Sequence, residues 1–215
     1  MKLVIGDKNY SSWSMRPWLV LKHFGIPFEE RTIELQEADS TASILAHSPS
    51  GKVPCLITDD NVHVWDSLAI CETLAEQFAE HAMWPRDAAV RAQARSVSAE
   101  MHSGFVGLRS SMWMNIRASF PGKGATPEAL ADIARVDALW CDAIAKHGGP
   151  FLFGDFSIAD AMYAPVVMRF NTWQPALSAV ASAYARRVTE LPAVRAWIDD
   201  ALRETHRVAH YDACA

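Results

Sequence analysis

Strand-like runs occupy only the first 80 residues of this 215-residue chain; from Trp84 onward every periodic segment is helical. A chain with that asymmetry must build one small sheet, cover it with helices, and leave the remainder as a helical body. In the first part, "KLVIG" (2–6) reads as a strand and "SMRPWLVLKHFG" (14–25) as a helix stopped by Gly25. Ser14 reads as the N-cap of that helix. This would place Pro17 in the first turn, where backbone N–H groups have no intrahelical partner. "PFEERTIEL" (27–35) reads as a second strand and "SILAHSPSG" (43–51) as a short helix ended by Pro49 and Gly51. "VPCLITDD" and "NVHVWD" form a hairpin around Asp59-Asp60-Asn61, and "SLAICETLAEQF" (67–78) is an amphipathic helix with Ser67 near its cap.

The second part has a different grammar. Residues 86–118 read as one long helix or two in series, and 157–170, 175–190 and 192–207 as further helices. The segment 126–148 carries Thr126 as N-cap, Pro127 at the first helical position and Gly148 at its end. Ser157 with Asp160 three residues later spells a capping box. The boundary falls between His81 and Arg86, giving one unit over 1–80 and an all-helical unit over 87–215. The order β-α-β-α-β-β-α is that of a thioredoxin-like unit. The expected fold is therefore an α/β thioredoxin-like N-terminal domain plus an all-α C-terminal domain.

Composition narrows the function. The net charge is −5 and no basic run exceeds two residues, which argues against nucleic acid as a partner. The N-terminal apolar run is too short for a signal-peptide core, and no window approaches the ~18 apolar residues of a spanning helix. A soluble, cytoplasmic protein is expected. Cys55, Cys71, Cys141 and Cys214 are scattered with no C-x-x-C, so reduced and mostly buried thiols are expected. His206 and His210 stand four apart on a segment read as helical, but no third ligand accompanies them, and no metal site is expected.

The chemistry concentrates in three places. In a thioredoxin-like unit the first strand feeds a helix whose N-terminus faces the substrate, where N–H groups and partial positive charge stabilise an anion such as a thiolate. Redox members place C-x-x-C there; this chain has Ser11-Ser12-Trp13-Ser14. A serine hydroxyl at that point can donate to the thiolate of a bound ligand. Ser11 and Ser12 are the candidates, Ser14 reads as a cap, and Tyr10 is a competing hydroxyl donor. In "SGKVPCL" (50–56), the thioredoxin-like arrangement places a cis proline at Pro54 and turns the Val53 backbone toward a ligand, where it can pair with a cysteinyl backbone. Lys52 can meet a carboxylate there. In "WDSLAI" (65–70), Ser67 and the helix N-terminus suit a carboxylate while Asp66 suits an ammonium. A thiol between an amino-acid head group and a second carboxylate describes glutathione.

These segments resemble the cytosolic glutathione transferases over nearly the whole chain. "SSWSMRPWLVLKHFGIPFEE" resembles the serine-type opening of the zeta and theta-like bacterial classes, "SPSGKVPCLITDD" the cis-proline segment, and "WDSLAICETLAEQF" the γ-glutamyl-binding segment. "GDFSIADAMYAPVV" resembles the capping-box helix of the C-terminal domain. The resemblance implies Ser11 as the thiolate-stabilising residue, with Ser12 and Trp13 beside it. It also implies Val53 as a backbone ligand and Asp66 and Ser67 as holders of the γ-glutamyl group. Trp13 stands where zeta-class isomerases carry cysteine in an S-S-C-S pattern, a departure that sets maleylacetoacetate isomerase activity behind conjugation. A homodimer is implied, with a small electrophile lying between the two domains. Arg109, Met112, Trp113 and Arg117 are expected to line that pocket. The competing readings are a glutathione-dependent isomerase and a non-catalytic glutathione-binding module.

Overall fold

A computed structural model describes residues 1–213, so Cys214 lies outside the described residues. The sheet half runs β1 (Lys2–Gly6), α1 (Ser12–His23), β2 (Glu29–Ile33), α2 (Ser40–Leu45), β3 (Cys55–Ile57), β4 (His63–Trp65) and α3 (Ser67–Gln77). The order across the sheet is β2-β1-β3-β4. β1 runs parallel to β2, with Lys2 opposite Glu29, and antiparallel to β3, with Lys2 opposite Ile57. The β3–β4 hairpin pairs Cys55 with Trp65. β1 sits in the middle of this pattern, and Leu3, Val4 and Ile5 are accordingly fully buried.

The helical half follows as α4 (Ala88–Ser103), α5 (Val106–Ser111), α6 (Pro127–His147), α7 (Ile158–Trp173), α8 (Ala179–Glu190), α9 (Pro192–Arg203) and the single turn α10 (Ala209–Asp212). α7 is the hub. Every one of its residues except Asn171 is buried, and it packs against α1, α4 and α8. Ser157 and Asp160 form the capping box at its start. Buried Asp160 accepts from the Ser157 and Leu152 N–H groups at 2.9 and 3.1 Å and from the Tyr184 hydroxyl at 3.0 Å.

The halves are also pinned by Lys8. Its ammonium lies 2.8 Å from Glu30 and 2.6 Å from Asp200, over the rings of Trp18 and Trp197. Those two indoles meet edge to face with centroids 5.1 Å apart.

Several element boundaries differ from the sequence reading. Ser11, not Ser14, occupies the N-cap position of α1, so Pro17 lies inside the helix rather than in its first turn. Ser14 is drawn inward instead, where its Oγ accepts the Gly6 N–H at 3.1 Å. Gly25, at φ +68°, closes α1: its N–H bonds the Lys22 carbonyl while the Ile26 N–H bonds that of Leu21. Asp66 rather than Ser67 caps α3, accepting from the Leu68 and Ala69 N–H groups at 2.9 and 3.2 Å. Of the two readings of 86–118, one helix or two in series, the second holds: α4 and α5 part between Ser103 and Val106, with Phe105 at φ +56°, but α5 ends at Ser111 rather than near 118. His206 is not helical; it lies in the irregular stretch after α9. Its ring faces Asp7 and Glu37, whereas that of His210 stacks on Trp113.

Candidate functional site

A cavity of about 490 Å³ opens where the N-terminus of α1 meets the helical half. Five residues expected to meet glutathione reach it, Ser11, Ser12, Trp13, Lys52 and Val53, and so do Arg109 and Trp113, expected to meet the electrophile. Their convergence follows from topology. β1 delivers the chain to the centre of the sheet edge, α1 begins there, and the loop entering β3 runs alongside. The Val53–Pro54 peptide is cis.

Ser11 is 5% exposed and its hydroxyl makes no capping bond to the helix backbone. It donates instead to Ser14 Oγ at 2.7 Å. The Ser12 oxygen accepts from Arg169 Nη2 at 3.2 Å, a contact that crosses from α7 to the first residue of α1. Two hydroxyls therefore stand at a helix N-terminus without being consumed as caps. Tyr10 also lines the cavity, but its hydroxyl donates to Asp212 at 2.7 Å and accepts from Arg117 at 2.9 Å.

Asp66 and Ser67 do not line the cavity. They lie at the N-terminus of α3, connected to it through His102 and Trp13. His102 Nε2 is 3.1 Å from Asp66 Oδ2, and its ring meets Trp13 edge-on at 5.2 Å. Asp66 adopts φ +74°, ψ 132°. Ser67 is 1% exposed, and its hydroxyl has no hydrogen-bond partner among the described residues. A buried hydroxyl without a partner is costly unless a ligand supplies one.

Arg109 and Arg169 make one wall of the cavity cationic, with buried Arg16 stacked on Trp13 outside the lining; the sequence reading caught only Arg109. The guanidinium carbons of Arg16 and Arg109 lie 4.1 and 4.8 Å from the Trp13 ring. Burial, with the neighbouring Arg169 and Arg109 charges, pushes the Arg16 guanidinium down to about 9. Burial together with Arg109 likewise brings Arg169 down to about 10. Both remain charged at neutral pH, yet Arg16 Nη1 and Arg169 Nε have no hydrogen-bond partner among the described residues. Trp113 lines the cavity as expected. Met112 does not, being 1% exposed in the core, and neither does Arg117, which holds the backbone of Glu204 and His206. Met114 and Tyr211 were not anticipated as lining residues. An arginine within the apolar run "APVVMRF" was a readable signal for Arg169; nothing local marked Tyr211.

Models of the glutathione S-transferase N-terminal and C-terminal domains match residues 10–77 and 123–200. The chain belongs to the glutathione S-transferase family. Within that family it is 28% identical over 176 residues to a probable maleylacetoacetate isomerase of Caenorhabditis elegans, covering 80% of this chain and 79% of the relative. It is 25% identical to glutathione S-transferase GstB of Escherichia coli K12, covering 90% of this chain and 96% of that one. A crystal structure of a glutathione transferase homologue from Burkholderia with bound glutathione superposes with a TM-score of 0.71 at 25% identity, covering 94% and 97% of the two chains. A zeta-class maleylpyruvate isomerase shares the fold at a TM-score of 0.72 and 24% identity, covering 96% and 100%. Among the described residues, no group of three or more His, Cys, Asp or Glu side chains is placed to hold a metal ion, and no helix is long and apolar enough to cross a membrane.

Proposed function

We propose that this protein is a glutathione transferase that binds glutathione on the unit spanning 1–80 and conjugates it to an electrophile in the cavity against the unit spanning 87–215. The observation that carries the reading is the uncapped Ser11 hydroxyl at the α1 N-terminus, inside the cavity that Val53 and Lys52 also line. Ser11 is the catalytic residue, turning its O–H from Ser14 toward the sulfur once the thiol loses its proton to solvent. A hydroxyl donor and a helix N-terminus together lower a thiol pKa from its ordinary ~8.5 toward neutrality. The thiolate then forms the carbon–sulfur bond as the electrophile's leaving group departs with its electron pair.

Val53 pairs with the cysteinyl backbone, Lys52 meets the glycyl carboxylate, and Ser12 and Trp13 shape the floor. The unpartnered Ser67 hydroxyl and the Asp66 carboxylate receive the γ-glutamyl carboxylate and ammonium. Arg109 and Arg169 favour an electrophile that bears an anionic group: both cations line the cavity, and the buried Arg169 Nε, without a partner among the described residues, is relieved by a carboxylate. The same cationic wall, with the likeness to a probable maleylacetoacetate isomerase, supports glutathione-dependent isomerisation as the second reading. Exposed Trp65 and Val62, on and beside the edge strand β4, support a homodimer. Detoxification in the cytoplasm is the corresponding cellular role.

Calorimetric titration of the purified protein with millimolar reduced glutathione tests the binding step, and turnover of an aromatic halide tests conjugation. Absence of binding heat eliminates the transferase and isomerase readings together; binding without turnover of any electrophile leaves the binding module.

A further inference from the structure

After α9 the chain returns to the sheet half as an irregular strap followed by α10. The Glu204 carboxylate accepts the Lys8 and Asn9 N–H groups at 2.7 and 2.9 Å. Arg117 donates to the Glu204 carbonyl and, at 2.6 Å, to that of His206. The Val208 N–H reaches the Tyr10 hydroxyl at 3.2 Å. These grips set Tyr211 at the cavity wall, where Trp113 Nε1 donates to its carbonyl at 2.8 Å.

One grip depends on a proton. His206 Nδ1 lies 2.8 Å from Asp7 Oδ1 and Nε2 lies 3.0 Å from Glu37 Oε1. A neutral imidazole has a single donor, so two carboxylates facing both ring nitrogens require the imidazolium. The His206 side chain is 9% exposed and that of Asp7 is 2%. Burial opposes the charge, but Asp7 and Glu37, with Glu34 behind them, outweigh it and raise the His206 pKa. The other charged groups nearby are committed elsewhere. Arg117 meets the His206 carbonyl, Glu204 faces backbone N–H groups, and Arg207 lies 3.6 Å from Asp212.

Both carboxylates belong to segments that flank the cavity. The second oxygen of Asp7 accepts the Leu35 N–H at 2.8 Å, and the Asp7 carbonyl accepts the Ser11 N–H at 2.8 Å. Glu37 directly follows Leu35 and Gln36, which line the cavity. His206 thus fastens the strap to the root of the Ser11 turn and to the opposite rim.

We infer that residues 204–212 form a proton-keyed strap over the electrophile cavity, with His206 as the positioning residue and Tyr211 as the specificity-determining wall it presents. The inference rests on reading this cavity as the electrophile site. An open strap exposes His206 at its ordinary pKa of about 6.5, so the raised closed-state value makes the latch fully effective below that pH. The hold is lost as pH rises through the raised value.

Hydrogen exchange of the full chain over about pH 6 to 9 bracketing the histidine titration, corrected for intrinsic exchange rates, reads the strap directly. Protection of 204–212 is expected to fall several-fold as pH rises, with the midpoint moving lower in Glu37→Gln and the dependence vanishing in His206→Gln. Flat protection in the wild-type protein, or an unchanged midpoint in Glu37→Gln, overturns the latch. Because exchange needs no turnover, that failure is distinct from a failure of the transferase reading. For Tyr211→Ala, the ratio of kcat/KM for a bulky over a slim electrophile is expected to rise several-fold, with Tyr211→Phe restoring the wild-type ratio. An unchanged ratio removes Tyr211 as the selective wall.

Discussion

The Ser11 hydroxyl donates to Ser14 Oγ at 2.7 Å, and that same oxygen accepts the buried Gly6 N–H. The proposed catalytic proton is thus parked on a residue whose own duty is structural, and the two serines are separable by mutation. Ser11→Ala removes the donor to sulfur but no cap bond. Conjugation is expected to fall ~10- to 100-fold, the worth of about one to two pKa units on the thiol. The melting temperature should hold. Ser14→Ala leaves the Gly6 N–H unpaired and is expected to cost ~1–3 kcal/mol of stability while thiolate absorbance of bound glutathione persists. Equal loss of thiolate in both variants would contradict this division.

Asp66 has two duties that one substitution can split. As the N-cap of α3 it accepts two backbone N–H groups, so Asp66→Ala would lose about 1 kcal/mol of helix capping besides any ligand contact. Asn caps as well as Asp. Asp66→Asn is therefore expected to keep the melting temperature while weakening glutathione binding, measured by titration calorimetry.

Ser67→Ala removes a buried hydroxyl that has no partner among the described residues. Without glutathione, stability should be unchanged or slightly higher. With it, affinity should drop by ~10-fold, equivalent to the ~1.4 kcal/mol of a lost hydrogen bond to a charged group. A thermal-shift titration reads both effects.

Arg109 is half-buried against Trp13. Arg109→Ala is expected to lower kcat/KM for a carboxylate-bearing electrophile by ~10-fold or more, with a much smaller effect on a neutral one of similar size. Steady-state kinetics on such a pair decides whether the cationic wall selects charge.

Asp160 supports the fold rather than the site. Burial pushes its carboxyl up to about 6 against its hydrogen bonds, leaving it mostly ionised at neutral pH. Asp160→Ala would orphan the Leu152 and Ser157 N–H groups and the Tyr184 hydroxyl. A loss of ~3–5 kcal/mol is expected by denaturant titration, with Asp160→Asn losing less.

The sequence was most legible where local chemistry decides local structure. Thr126, Pro127 and Gly148 delimit α6 at the residues expected, because capping oxygen, fixed φ and left-handed glycine act within one turn. It was less legible where several residues offered the same chemistry. Three serines in "SSWS" all qualify as caps, and the Gly6 N–H, distant in sequence, draws Ser14 inward. The break at Gly104 was marked only by glycine itself; a Cβ there would lie 2.7 Å from the Glu100 carbonyl oxygen. Tyr211 was invisible because its place depends on Trp113 and Asn115, far back along the chain.

Lys8 also bears on how the molecule is made. During synthesis Trp18 and Glu30 emerge long before Trp197 and Asp200 exist, so the nascent sheet unit presents an uncovered indole and a half-neutralised ammonium until α9 has been made. Only the arrival of α9 seals that seam, and chaperone dependence should concentrate in this interval.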